Sequence, residues 1–392
     1  MVTDASRARG GAGTAAAGPA RLRVALIVNR LTVGGLERAV LTIATGLDPG
    51  RFEVRIVCLA RAGALAERAA SAGIPVTTLG SRVAVDPLAL WHAAACLRKL
   101  VRWVRAFDPQ VVQTHLFYSQ FLGSLAARAS PVRGLVHVEQ NFYRWKNRVT
   151  RLVELWALGR RGVVVVPTRV LADHHGRRLG LGPDRVLVIP NGVELPPSVA
   201  RPDTRATLRL PEGSVLVGVA ERLVPAKRQA LLLEAAALAA REEPRLHFVI
   251  VGDGPVRGAL EARCRADDLN GRVRFVGETV EPMPWIASMD VYFTASTMEG
   301  FGIAPVEALA LGVPVLAPAV PVFEETLGRS GAAHLVSPDS LREMAAHLVA
   351  LARDPEERRL MGERGKEHAR DRFGADAMVD AYGKLYETLA VR

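Results

Sequence analysis

The sequence predicts two α/β domains that face each other across a cleft, each built on a doubly wound parallel β-sheet. Short runs of β-branched residues alternate with longer stretches rich in Ala, Leu and Arg along most of the 392 residues. Strands of a parallel sheet are buried on both faces and read as continuous apolar runs, as these do. The alternation stops once, at a segment rich in Pro and polar residues, and then resumes, which indicates a linker between two units.

The first half of the chain carries seven short apolar runs that we expect to form strands, with helical stretches between them. The strand candidates are Val24–Asn29, Val54–Leu59, Val76–Leu79, Val111–Thr114, Leu135–Val138, Val163–Val166 and Val186–Ile189. The clearest helical stretches are Glu37–Gly46, Leu88–Ala106 and Ser119–Ala129. Strands that alternate with helices in this way predict one parallel sheet.

The second half repeats the pattern after the linker. Its strand candidates are Val215–Val219, His247–Val251, Val273–Phe275, Val291–Phe293 and Val315–Ala317, and its last helices are Ser340–Arg353, Pro355–Arg370 and Ala375–Ala390. The predicted domain scheme has five parts: a disordered tail (1–20), a first domain (21–190), a linker (191–212), a second domain (213–372) and a C-terminal helix (373–392) that packs back on the first domain.

The composition predicts a protein of the reducing cytosol. Its three cysteines, at positions 58, 96 and 264, are widely spaced, which argues against a disulfide framework or a zinc site. The first twenty residues lack the bulky apolar core of a secretory signal. No apolar run reaches the ~18 residues that a membrane-spanning helix needs.

Charge is distributed unevenly along the chain. Residues 1–194 hold 27 Lys and Arg against 12 Asp and Glu, a net charge of +15, whereas residues 195–392 have a net charge of −4. A basic half indicates an anionic partner such as a membrane, or it is the solvated surface of an Arg-rich chain. Basic stretches surround Trp103 and lead to Trp156. Such helices are typical of membrane interfaces, although a Trp packed in the core explains them as well.

Residues 299–307 (EGFGIAPVE) form the most informative motif. They follow a predicted strand and lead into a helix near Gly302, whose free N–H groups make an anion site. Glu299 and Glu307 flank this helix start. Since a carboxylate accepts hydrogen bonds from two hydroxyls, one Glu suits a transferred sugar and the other a ribose. The alternative is that Glu299 caps the helix and Glu307 is solvated.

Three weaker features also lie at predicted strand ends. Arg222 and Lys227 follow the first strand of the second half and suit phosphate oxygens, or they are surface charges. Gly34 and Gly35 let the backbone approach a bound group, or they form only a tight turn. His115 ends a strand of the first half, where it contacts a sugar, relays a proton or simply packs.

The stretch 252–258 (GDGPVRG) imitates a dinucleotide fingerprint without matching it. Its glycine spacing is wrong and Pro255 removes an N–H, so we expect a turn beside a nucleotide at Gly252. The sequence has no Gly-rich loop ending in Gly-Lys-Ser/Thr, no Gly-x-Ser-x-Gly elbow and no Asp-x-Asp pair. We therefore expect chemistry without a metal.

Taken together, these segments resemble glycosyltransferase family 4, whose members are retaining enzymes with the GT-B fold of two Rossmann-like domains. The resemblance covers nearly the whole chain from Arg23 onward and includes residues 190–193 (PNGV), 251–255 (VGDGP) and 312–315 (GVPV). Each motif is weak alone, but the combination in this order is specific.

The resemblance implies a role for each matching position. The residues implied in the reaction are Glu299, His115, Arg222 and Lys227. Those implied in donor binding are Gly34, Gly35, Arg222, Lys227, Gly252, Glu299, Gly300, Phe301, Gly302, Ile303 and Glu307. Glu307 would bind the ribose, and Glu299 would lie nearer the bond that breaks. The chain departs from the family at Glu221, where Gly before the Arg is more usual, and at Glu139-Gln140-Asn141, where a histidine before the Asn is frequent. Ala304-Pro305 is also a less usual pair.

The implied reaction moves a hexose from a UDP- or GDP-sugar to a hydroxyl acceptor with retention of configuration, without a cofactor or metal. The acceptor would be a glycan, a lipid-linked molecule or a small molecule, in the synthesis of cell-surface glycans, lipid-linked glycans or glycosylated metabolites. We expect a cytoplasmic monomer or homodimer whose basic half touches the anionic inner face of the membrane, with no nucleic-acid partner. The alternatives are a nucleotide-sugar epimerase of the same fold and a non-catalytic subunit that binds nucleotide-sugars.

Overall fold

The computed structural model describes residues 21–81, 89–143, 145–195, 204–266 and 268–391. Within them the chain forms two parallel sheets of seven and six strands, which confirms the predicted fold class. The predicted tail (1–20) and residues 196–203 of the predicted linker lie outside the described residues.

The first sheet contains all seven strands that the sequence predicts. The strands are β1 (Leu22–Val28), β2 (Phe52–Cys58), β3 (Val76–Thr78), β4 (Val111–His115), β5 (Gly134–Val138), β6 (Val163–Val166) and β7 (Val186–Val188). The helices between them are α1 (Gly35–Gly46), α2 (Ala64–Ser71), α3 (Ala89–Phe107), α4 (Phe117–Ala127), α5 (Arg148–Leu158) and α6 (Arg169–Leu179).

The second sheet follows the short helix α7 (Thr204–Thr207). Its strands are β8 (Val215–Ala220), β9 (Leu246–Val251), β10 (Val273–Gly277), β11 (Val291–Phe293), β12 (Val315–Pro318) and β13 (Ala333–Val336). Its helices are a 3₁₀ turn (Pro225–Lys227), α8 (Gln229–Glu242), α9 (Arg257–Arg263), α10 (Met283–Ala287), α11 (Ile303–Ala310), α12 (Pro321–Thr326), α13 (Leu341–Arg353) and α14 (Pro355–Phe373). The final helix is α15 (Ala375–Ala390).

Both sheets share one connection pattern. The strand orders are β3-β2-β1-β4-β5-β6-β7 and β10-β9-β8-β11-β12-β13. In each sheet the strands are added first on one side of the first strand and then on the other. The strand order therefore reverses between β1 and β4 in the first sheet and between β8 and β11 in the second. Ligands of such sheets bind outside the carboxyl ends of the strands at this switch point.

The sheets are buried as the apolar runs predict. Every residue of β6 and β8 is buried. One face of the first sheet packs against α1 and α15, and the other packs against α3 and α4. The final helix contributes Met378, Tyr382, Tyr386 and Leu389 to the first of these cores. Its Tyr386 hydroxyl donates a 2.7 Å hydrogen bond to Gln113 Oε1 in β4.

The chain crosses between the two units in two adjacent segments. Val193 N–H donates to Phe373 O at 2.7 Å, and Ala375 N–H donates back to Val193 O at 3.1 Å. The outgoing and returning segments therefore pair with each other where they cross.

Strand β13 was not predicted from the sequence. Its four residues (AHLV) are short for a strand, and three of them are only half-buried, so they give a weak apolar signal. Among the described residues, no helix combines the length and the apolar character that crossing a bilayer requires.

Candidate functional site

A cleft of about 530 Å³ lies between the two units at the carboxyl ends of their strands. The first unit contributes Thr32 to Arg38 after β1, Leu116 after β4, and Gln140, Asn141 and Tyr143 after β5. The second contributes Ala220 to Arg222, Lys227, Val251 to Asp253 and Glu299 to Pro305. The structure thus brings both glycine turns, both cations and the Glu299 segment to one place.

Lys227 and Glu299 form an ion pair inside this cleft. Burial lowers the pKa of Lys227, but the neighbouring Glu299 carboxylate raises it above its ordinary value. The ammonium group therefore stays charged at neutral pH. Arg222 is exposed at the same wall of the cleft, so two cations face the space where an anionic ligand would lie.

The start of α11 presents free backbone N–H groups to the cleft. Gly302 is the cap residue, in the left-handed conformation at φ 81°, and no side chain bonds to the helix start. The alternative that Glu299 caps this helix is therefore wrong. The N–H groups of Ile303 and Ala304 keep their hydrogen-bonding capacity for a ligand, whereas Pro305 has none and Val306 N–H donates to Gly302 O.

Glu307 lies one turn further along α11 and is buried, so the alternative of a solvated Glu307 is also wrong. Arg38 of α1 reaches across from the first unit and forks onto its carboxylate, with Nη1–Oε1 at 2.7 Å and Nη2–Oε2 at 3.1 Å. Burial raises the pKa of Glu307, and Arg38 opposes that rise. Arg38 lines the cleft, whereas Glu307 lies behind it.

His115 lies at the end of β4, below the cleft wall formed by Leu116. It is buried, and burial lowers its pKa to about 3, so its imidazole is neutral at physiological pH. Because Gln113 Oε1 accepts from Tyr386, its amide nitrogen is free to donate to His115 Nε2 at 3.0 Å. The proton of His115 is then on Nδ1, which has no hydrogen-bond partner in the structure.

The cleft residues that were not predicted as site residues include Glu37, Arg38, Tyr143 and Glu221. Glu37 and Arg38 lie one helical turn beyond Gly34 and Gly35, so their spacing could have revealed them. Tyr143 lies in a loop without periodicity and gave no signal. Among the described residues, no group of three or more His, Cys, Asp and Glu side chains is arranged to hold a metal ion.

Two family models match the chain along most of its length. The model for Glycosyltransferase Family 4 matches residues 33–195, and the model for Glycosyl transferases group 1 matches residues 200–368. The chain is 30% identical over 310 residues to a D-inositol 3-phosphate glycosyltransferase of Kribbella flavida, an alignment that covers 71% of this chain and 72% of the relative. It is 28% identical over 322 residues to the 2-deoxystreptamine glucosyltransferase of Streptomyces kanamyceticus, with 76% and 83% covered.

Solved structures share the architecture at lower sequence identity. Alr3699/HepE of Anabaena in complex with UDP and glucose superposes with a TM-score of 0.81 at 20% identity, covering 94% of this chain and all of that one. Sucrose-phosphate synthase of Thermosynechococcus elongatus gives a TM-score of 0.77 at 20% identity, with 94% and 99% covered. The two facing parallel-sheet units are the GT-B fold.

Proposed function

Since this chain belongs to glycosyltransferase family 4 and is a nucleotide-sugar glycosyltransferase, we propose that it moves a hexose from a UDP- or GDP-sugar to a hydroxyl acceptor with retention of configuration. The relatives support sugar transfer and favour neither the epimerase nor the non-catalytic subunit. The observation that carries the proposal is the convergence of Arg222, Lys227 and the uncapped start of α11 on one cleft.

These groups match the charge that develops during sugar transfer. As the bond between the anomeric carbon and the diphosphate oxygen breaks, negative charge grows on the diphosphate. Arg222, Lys227 and the amides at Ile303 face that charge without having to reorganise, and removing one such donor costs on the order of 10²–10³ in rate. No metal takes part in this scheme.

We propose that retention arises in a single step, in which the acceptor hydroxyl attacks from the side that the diphosphate leaves. In the proposed step the acceptor oxygen bonds to the anomeric carbon, the bond to the diphosphate oxygen breaks, and the acceptor proton passes to that leaving oxygen. Glu299 holds the sugar, Glu307 contributes to ribose recognition, and His115 supports the wall beside the reacting hydroxyl as a neutral imidazole. Closure of the two units over the donor excludes water and limits hydrolysis.

The test uses Lys227→Ala and Glu307→Ala with UDP-glucose as the first donor, and GDP-mannose if the uridine donor does not bind. Both variants should lose donor binding by calorimetry and product formation by chromatography. Lys384→Ala is the matched control, because Lys384 is exposed on α15 away from the cleft. Full activity in both site variants would refute the proposed donor site.

We further propose that the first unit contacts an anionic membrane through one exposed face of α5 and the loop before it, the α5 surface. Its apolar members are Trp145, Val149, Leu152 and Trp156, which are 55%, 68%, 66% and 53% exposed and recur at helical spacing. Their exposure favours the membrane interpretation over tryptophans packed in the core. Trp103 of α3, in contrast, is half-buried and donates to Thr77 Oγ1 at 3.1 Å.

The charge of α5 supports a lipid surface as the partner. Arg148 and Arg151 are exposed beside the apolar stripe. Glu154, the one acid of α5, is buried and paired with Lys146 and Arg178. Apolar side chains rimmed by arginine are typical of helices that lie in an anionic lipid interface.

The α5 surface is also continuous with the cleft. The ring of Tyr143, which lines the cleft, lies 6.3 Å from the ring of Trp145. This placement suits a lipid-linked acceptor.

A vesicle flotation assay tests the contact with a membrane. The wild-type protein should float with phosphatidylglycerol vesicles at low salt, and the double variant Val149→Asp/Leu152→Asp should not. The control variant Arg359→Glu on α14 should float like the wild type. Failure of wild type to float would refute membrane contact.

A further inference from the structure

The two units are joined across the cleft by Arg38 and Glu307. The guanidinium of Arg38 lies in α1 and the carboxylate of Glu307 in α11, and the fork between them has contacts of 2.7 and 3.1 Å. Bidentate pairs of this kind fix the orientation of both groups. Beside it, a Cβ added to Gly35 would lie 2.7 Å from Ile303 Cδ1, so the starts of α1 and α11 are in close contact.

The fork leaves Arg38 with capacity for a ligand. A guanidinium has five N–H donors; Nη2 donates to Glu307 Oε2 and Nη1 lies 2.7 Å from Oε1, which leaves at least three N–H groups. The side chain of Arg38 is 23% exposed and lines the cleft, whereas that of Glu307 is 6% exposed and lies behind it. A group that enters the cleft at this point therefore meets Arg38 first, with the carboxylate of Glu307 directly behind it.

We propose that Arg38 is a donor-binding residue that acts with Glu307 as one unit to recognise the ribose of the nucleotide. This inference rests on the proposed function, in which Glu307 contributes to ribose recognition. A carboxylate accepts about four hydrogen bonds, so its two contacts with Arg38 leave room for a ribose hydroxyl. The free N–H groups of Arg38 donate to the oxygen atoms of the same ribose or of the adjoining phosphate.

One consequence concerns the geometry of recognition. Because Arg38 belongs to the first unit and Glu307 to the second, the ribose site is complete only when the two units meet. The donor therefore gains full affinity only in the closed arrangement that transfer requires.

The experiment compares the dissociation constants of UDP and 2′-deoxy-UDP by calorimetry, with GDP and 2′-deoxy-GDP if uridine nucleotides do not bind. Wild type should prefer the ribonucleotide by on the order of tenfold. Arg38→Met should bind it on the order of 10- to 100-fold more weakly and lose the preference for the 2′-hydroxyl. Arg38→Lys should restore little of the affinity or of the preference for the 2′-hydroxyl, because an ammonium cannot form the fork.

Arg68→Met is the matched control. Arg68 forms another ion pair across the units, with Glu281 Oε1 at 2.6 Å, but neither residue lines the cleft. This variant should keep both affinity and preference. If Arg38→Met keeps the preference, or binds UDP more tightly than wild type, Arg38 only competes for Glu307 and the inference fails. If wild type binds neither nucleoside diphosphate, the proposed function itself fails.

Discussion

Glu221 is a carboxyl group at the edge of an anion site, a position where charge repulsion is expected. Its Oε1 accepts from Gln229 Nε2 at 2.9 Å and its Oε2 accepts from Thr294 Oγ1 at 3.3 Å. Burial raises its pKa to about 8, against the opposing effect of Lys227. Glu221 is therefore protonated at neutral pH and adds no negative charge to the cleft.

Glu221→Gln should weaken the dependence of stability on pH. The unfolded chain ionises this acid near pH 4.5, but the folded chain keeps its proton up to about pH 8. Between these values ionisation favours the unfolded state, so wild type should lose about 1 kcal/mol per pH unit from this group as pH rises. The difference in urea midpoint between the two proteins should grow from pH 5 to pH 8. If the urea midpoints of the two proteins changed in parallel with pH, Glu221 would ionise near its ordinary pKa in the folded protein.

At the scale of the element, α11 joins a strained turn to the anion site. Gly302 has a φ of 81°, and a Cβ added there would lie 2.6 Å from Phe323 Cε1. Only glycine fits both the left-handed backbone and the packing. The conformation of this one residue orients the first amides of the helix toward the cleft.

Gly302→Ala should lower stability by about 1–3 kcal/mol, the usual cost of such strain, and should weaken nucleotide binding. Thermal melting and calorimetry measure the two effects. Gly258→Ala in α9 is a matched control, since a Cβ there meets nothing within 4 Å. It should be neutral or slightly stabilising. Equal behaviour of the two variants would contradict the role assigned to the Gly302 turn.

The sequence predicts the strands and several site residues, but it does not predict contacts that depend on how the two units are placed. Apolar runs are enough to place every strand of the first sheet, and in the inner strands β4 and β6 burial on both faces accounts for the continuous pattern. Glu299 and Lys227 could be assigned to one cleft because strand ends of a parallel sheet meet at one edge. The fork between Arg38 and Glu307 could not be predicted, since it depends on the relative placement of the two units, which no local periodicity encodes.

At the scale of the whole molecule, contacts beyond the cleft hold the two units together. Thr168 Oγ1 donates to Gly300 O at 3.0 Å. The carboxylate of Glu325 in α12 accepts from the N–H groups of Arg169 and Val170, at 2.8 and 3.1 Å, and so caps α6 of the other unit. At Gly300 the two backbones lie so close that a Cβ would overlap the carbonyl oxygen of Gln140.

Gly300→Ala should therefore separate the units while leaving each one folded. We expect an increased radius of gyration by small-angle X-ray scattering, little change in circular dichroism, and loss of sugar transfer. Gly258→Ala should match wild type in all three measurements. An unchanged radius of gyration with retained activity would mean that the close approach at Gly300 is unnecessary for closure.

The return of α15 to the first sheet has a consequence for the order of biosynthesis. Tyr382 and Tyr386 complete a core whose strands were translated more than two hundred residues earlier. During synthesis the second sheet can assemble as soon as it leaves the ribosome, while the first keeps one face uncovered until α15 has been made. Of the two sheets, the one that is made first is therefore the one that finishes folding last.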